Sequence, residues 1–186
     1  LCSKTKPDIV ILDWQQGSTL NPCLETLGFI NREMKIPVVA FWWDHVWDEH
    51  IQVSEKIRSF VDLNIVVDTG SFFPKVCRPE TYLFLWTPQD PRLYYTSEGP
   101  RDIPVSFMGR MEKIGRKAAI AALKHDEIGF YQSGGQRENR VSVQEYAKIF
   151  RRSKIVVNFS QSPTGSRQLV GRTLEATLSA ALLLEE

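Results

Sequence analysis

The sequence predicts an α/β protein of two domains in tandem, each built on a parallel sheet. Three observations predict it. Short, unbroken apolar runs recur along the chain, the pattern of strands buried on both faces. Segments of helical period separate those runs, as right-handed strand–helix–strand units require. A proline-rich stretch then interrupts the alternation, and the same pattern restarts beyond it. Residues 1–88 are therefore expected to form one domain, 89–103 a linker, and 104–186 a second domain. The chain starts without Met and stops on an apolar run, so the first domain is expected to lack its start and the second its end.

In order, the first run is residues 8–12 (DIVIL). Asn21 is placed to cap a helix with Pro22 at its first position, and Leu20, Leu24, Leu27 and Met34 mark one face. Residues 36–42 (IPVVAFW) form the next expected strand, entered through a proline that suits a first strand residue. A helix from Asp48 points Val53, Ile57, Phe60 and Val61 inward, and strands follow at residues 64–68 and 82–86. The interruption, TPQDPRLYYTSEGPRDIP, has four prolines and no helical period. Residues 105–109 (VSFMG) then read as a strand ending in glycine, 113–124 as a helix, and 128–132 as a strand running into Ser133, Gly134 and Gly135. Ser142 and Glu145 have the spacing of a capping box, with Val143, Tyr146, Ala147 and Phe150 inward. Residues 154–159 (KIVVNF) are the next strand. A loop leads to a short helix on which Leu174, Leu178 and Ala181 recur at helical spacing.

Composition narrows the function classes. The 186 residues are 42% hydrophobic and 24% charged, an ordinary globular balance. A net charge of +1 gives no general attraction to nucleic acid. No apolar run approaches the about 20 residues that cross a bilayer, so no transmembrane segment is expected. Three cysteines without metal-type spacing, Cys2, Cys23 and Cys77, fit a reducing, cytoplasmic setting.

Ligands of open parallel sheets bind beyond the carboxyl ends of the strands. The second half places Gly109, Arg110, Ser133, Gly134, Gly135, Ser160, Arg172 and Glu175 at such ends. Glycine lets a backbone approach phosphate closely, arginine offers a fork of donors, and a helix start carries partial positive charge. Taken singly, each glycine also reads as a turn. Arg172 and Glu175, three apart, also read as a surface ion pair. Arg116 and Lys117 are expected on a solvated helix face. Neither the dinucleotide fingerprint nor the P-loop is present.

In the first half, FWWDHVWDEH packs two histidines and three acids into residues 41–50. Adjacent residues point in different directions, so no metal site is expected. Asp44 and His45, at the strand tip, are candidates for a role in the cleft. The tryptophans are expected in packing, with stacking on a sugar as the alternative.

The runs EYAKIFRRSKIVVNFSQSP and QLVGRTLEATLSAALLLEE resemble the carboxyl-terminal domain of GT-B-fold glycosyltransferases of the group 1 type, nearest the spore-maturation-protein-like branch. SFMGRM with the later GRKAAIAAL resembles the first strand and helix of the same domain. Residues 7–86 resemble the acceptor-side domain only in general pattern. The resemblance implies two Rossmann-like domains and transfer of a hexose from a nucleotide-diphosphate sugar to an acceptor hydroxyl without an obligatory metal or other cofactor. It implies that Glu175 holds the donor ribose and that Gly109, Arg110 and Arg172 lie near the diphosphate. Val170 stands where that branch commonly has lysine, and Leu174 where it has an aromatic residue.

A cytoplasmic glycosyltransferase is thus the expectation, with Asp44 as the candidate base. Gly109, Arg110, Ser133, Gly134, Gly135, Ser160, Arg172 and Glu175 are expected around the nucleotide sugar. The expected partners are that donor and a glycan, protein or small-molecule acceptor. The rival expectation is a non-catalytic two-domain protein that binds a sugar or nucleotide.

Overall fold

The computed structural model describes residues 2–15, 18–43, 48–67, 80–111, 115–125, 129–133, 141–161, 167–168 and 170–185. The chain divides into two compact units, Leu1–Trp86 with Thr164–Leu169, and Thr87–Pro163 with Val170–Glu186. Each contains one four-stranded parallel sheet.

In the first unit the strands lie in chain order: β1 (Val10–Trp14), β2 (Val38–Trp42), β3 (Leu63–Val67) and β4 (Tyr82–Leu85). A short turn of helix, α1 (Cys2–Thr5), precedes them. Helix α2 (Leu24–Gly28) runs into a π-helical turn at Phe29–Glu33, and α3 (Asp48–Ile57) ends in a 3-10 turn at Arg58–Phe60. Strand alternation gives the sheet two different faces. Val38, Ala40, Trp42 and Val66 pack with Leu27, Ile30 and Ile57 of the helices. Trp42 is fully buried, stacked on Trp14 at 5.5 Å, and its indole N–H donates to Asn64 Oδ1 at 2.8 Å. The opposite face carries Ile11, Leu83 and Leu85, which are exposed by 67%, 42% and 37%.

The first helix differs from the expectation. It begins at Leu24 with Cys23 in the cap position, and Leu20 and Leu24 are exposed. Asn21 does not cap it because its amide is already engaged: Nδ2 donates to the Gln15 carbonyl at 2.5 Å, and Oδ1 accepts from the Gln15 N–H at 3.3 Å. Those two bonds close the loop after β1.

In the second unit β5 (Ile103–Met108), β6 (Phe130–Ser133), β7 (Ser153–Asn158) and β8 (Leu182–Glu185) take the order β6-β5-β7-β8. Helix α4 (Arg116–His125) lies on one face, where Ile120 packs with Val105, Phe107, Val157 and Phe159. Helices α5 (Val143–Arg152) and α6 (Gly171–Leu178) lie on the other, with Ile149, Phe150 and Ala176 against Ile103, Met108 and Val156. Ser142 caps α5 as expected, its hydroxyl accepting from the Glu145 N–H at 3.1 Å. Val143 is 60% exposed rather than inward, since the core stripe begins a turn later at Tyr146 and Ala147. On α6 the fully buried residue is the small Ala176, and Leu178 faces outward.

The stretch 89–103, expected as a linker, is fastened to the second unit. Tyr94 is 6% exposed and meets the Phe150 ring edge-on at 6.1 Å. Arg101 donates to the carbonyls of Ser153 and Ser179 at 2.7 and 2.6 Å, Arg151 donates to the Leu93 carbonyl, and Arg152 grips Asp102 with two bonds. Apart from Tyr94, the anchors are arginines reaching main-chain oxygens or a carboxylate, which leave no hydrophobic period to read.

Candidate functional site

The site follows from the strand order of the second sheet. From β5 the chain turns toward β6, and from β7 it turns the opposite way toward β8, although β5 and β7 are neighbours. The connecting helices accordingly lie on opposite faces, and a crevice opens between the two strand ends, the place where open α/β sheets bind ligands.

Arg172, in the first turn of α6, reaches into this crevice. Its Nε donates to Asn158 Oδ1 at 2.8 Å and its Nη1 to the Met108 carbonyl at 3.2 Å, joining the ends of β7 and β5. Asn158 in turn donates to Glu185 Oε1 at 3.0 Å. Gly109 makes room for the guanidinium: a Cβ there would sit 3.2 Å from Arg172 Nη1 and 3.2 Å from the Phe107 ring. The acceptors that hold Arg172 are neutral, so its positive charge is oriented without being neutralised by a carboxylate among the described residues.

A second arginine approaches from the other face. Arg116, expected on a solvated face, is only 4% exposed. It donates to the Phe159 carbonyl at 2.6 Å and the Arg110 carbonyl at 3.2 Å, and lies 5.8 Å from the centroids of the Phe107 and Phe159 rings. Burial is tolerated because hydrogen bonds and ring faces replace the water that a guanidinium would otherwise keep. The two arginines thus tie down both loops that leave the crevice. Arg110 itself points to solvent.

Glu175 lies one turn after Arg172 and does not pair with it. Its Oε2 accepts from the Tyr146 hydroxyl at 2.9 Å and its Oε1 from the Tyr94 hydroxyl at 3.4 Å. Burial, and then the Glu175 charge, push both tyrosine pKa values well above their ordinary range, so the hydroxyls stay protonated donors. Gly171 keeps this corner open, since a Cβ there would meet Gln89 Nε2 at 3.0 Å and Glu175 Oε1 at 3.6 Å. Beside the crevice, on the α4 side, a cavity of about 460 Å³ is lined by Ala119, Leu123, Val157, Phe159, Leu184 and Glu185.

No known family model matches the chain, and no curated protein matches it.

Of the residues singled out in the sequence, Gly109, Arg172 and Asn158's neighbour Ser160 share the β5/β7 end. Ser160 is buried, with 3% exposure. Ser133 is also buried at the end of β6, and its carbonyl accepts from the Gly109 N–H at 3.0 Å. Gly134, Gly135, Asp44 and His45 lie outside the described residues. His50 is buried next to Trp42. Among the described residues no cluster of three or more His, Cys, Asp or Glu side chains could hold a metal ion, and no helix is long and apolar enough to cross a membrane.

Three residues at the site escaped sequence reasoning as functional candidates: Arg116, Tyr94 and Tyr146. A faint signal existed for Arg116, a cation in the first turn of a helix, where the dipole disfavours positive charge unless something else holds it. Tyr94 sits in a segment without periodicity and had no such signal.

Proposed function

We propose that the chain is a glycosyltransferase of the GT-B type whose second unit binds a nucleotide-diphosphate sugar. The observation that carries this reading is the guanidinium of Arg172, held between the diverging ends of β5 and β7 by neutral acceptors. A diphosphate placed there meets a charge that needs no prior ion pair to be broken, and Arg110 is free to close over it from solvent. As the sugar leaves, negative charge grows on the diphosphate, and fixed arginines lower the barrier where that charge develops. Glu175 takes the ribose hydroxyls, while the two tyrosines hold its carboxylate still. An acceptor hydroxyl attacks the anomeric carbon as the diphosphate leaves and gives its proton to a base, for which Asp44 is the candidate.

Calorimetric titration of UDP, GDP and ADP into the chain tests the donor site. At least one is expected to bind, and Arg172→Gln should weaken it about tenfold or more. Gly109→Ala, which crowds the same guanidinium, should weaken it as well. Binding unaffected by either substitution sinks the assignment. Transfer itself is read separately, as release of free nucleoside diphosphate from a sugar donor in the presence of candidate acceptors.

A further inference from the structure

Asn158, at the end of β7, is fully buried between two side chains of opposite charge. The register of the sheet sets it beside Glu185, the last residue of β8, and α6 brings Arg172 to its other side. Arginine has no acceptor, so the amide oxygen faces Arg172 Nε, at 2.8 Å, and the amide nitrogen donates to Glu185 Oε1, at 3.0 Å. Among the described residues no ion pair joins Arg172 to Glu185. Thr173, next to Arg172 on α6, donates to Glu185 Oε2 at 3.5 Å, a second neutral contact on that carboxylate. On the arginine, the bonds to Asn158 and to the Met108 carbonyl use Nε and one N–H of Nη1. The other N–H of Nη1 and both on Nη2 are left, and that fork matches two oxygens of a phosphate group.

We infer that Asn158 is a positioning residue: it aims the Arg172 fork into the crevice and, as a neutral spacer, keeps the Glu185 carboxylate from neutralising it, so that the site takes a diphosphate. The inference deepens the donor reading and rests on it for Arg172 as the group that meets the ligand. Shape alone does not account for the residue, since aspartate has the same outline. A carboxylate at position 158 would pair with Arg172 through a charge-assisted bond, and its second oxygen would face Glu185 where the amide now donates. A leucine, similar in size, would leave Arg172 Nε and Glu185 Oε1 without these partners. The amide satisfies a cation on one side and an anion on the other while adding no charge. Burial magnifies the difference, because water does not screen a charge placed there.

The test exchanges amide and carboxylate. Asn158→Asp combined with Glu185→Gln moves one negative charge across the existing hydrogen bond and leaves the net charge of the chain unchanged. The amide at 185 can then donate to the carboxylate at 158, so the swap keeps a partner for each group, and circular dichroism confirms folding. Inorganic pyrophosphate is titrated by calorimetry into the full chain, into Glu185→Gln alone and into the swap. The unaltered chain is expected to bind it, Glu185→Gln to bind it at least as tightly, and the swap to raise Kd about tenfold or more. Asn158→Ser, which removes both bonds without adding charge, should raise Kd by a smaller factor and replaces the swap should that not fold. The inference is overturned if the unaltered chain does not bind pyrophosphate, if the swap or Asn158→Ser binds it as tightly as the unaltered chain, or if Glu185→Gln alone weakens it as much as the swap. UDP, GDP and ADP are titrated in parallel. Pyrophosphate binding that follows the swap while none of the three nucleotides binds supports the role of Asn158 and refutes the donor assignment, which keeps the two failures distinct.

Discussion

The two sheets have the same number of strands and the same parallel pairing, and they differ in order. In the first, each connection steps the same way, from β1 through to β4, so the helices collect on one face and the other presents Ile11, Leu83 and Leu85. In the second, one connection steps left and later ones right, so α4 covers one face and α5 with α6 the other. Only the reversal makes a crevice between adjacent strand ends. Strand order, more than strand composition, therefore decides where charged groups converge, and the clamp of Arg172 and Arg116 stands at the reversal.

The largest expected effects come from the covered faces. Phe107→Ala in the second sheet and Leu27→Ala under the first should each cost about 2–5 kcal/mol. All five tryptophans fall within residues 14–86, so their fluorescence reports on the first unit alone, whereas circular dichroism reports on both. Leu27→Ala should move the fluorescence-detected urea midpoint and Phe107→Ala the dichroism-detected one. Equal shifts of both probes by both substitutions would show that the two cores are not separable.

An intermediate effect is expected at the clamp. Arg116→Met removes the donor from the buried Phe159 carbonyl and should cost about 1–3 kcal/mol in thermal or urea unfolding. Lys117→Met, at the exposed next position, should change stability by less than about 0.5 kcal/mol. The smallest effect is expected at the exposed positions on the other face of the first sheet, where Ile11→Ser should also stay within about 0.5 kcal/mol. A loss as large as that of Leu27→Ala would mean that something covers this face in solution.

Much of the fold was legible because burial on both faces writes itself as unbroken apolar runs. IVVNF and VSFM emerge as β7 and β5 with little shift of bounds. The helix after β1 was misplaced because Asn21 has two equally good local uses, capping or loop closure, and only the Gln15 backbone decides between them. The crevice was partly legible: glycine after β5 and arginine opening α6 carry local signals. That Gly109 is small for the sake of Arg172, 63 positions away, depends on sheet order and has none. Arg116 was misread for a similar reason, since the Phe159 carbonyl and ring that help to bury it lie 43 positions away in sequence.

Ser153 both ends α5 and begins β7, with no loop residue between them. Its hydroxyl donates to the Ile149 carbonyl at 2.7 Å and accepts from the Ser106 hydroxyl at 2.7 Å, pinning that junction to the helix and to β5 together. The length of α5 therefore acts as a ruler for β7. Removing one residue from the helix would rotate the strand by half its two-residue period and turn Asn158 from the α6 face to the α4 face, away from Arg172. The aim of a side chain at the crevice is thus set at the far end of the strand, by the count of residues in the helix that feeds it.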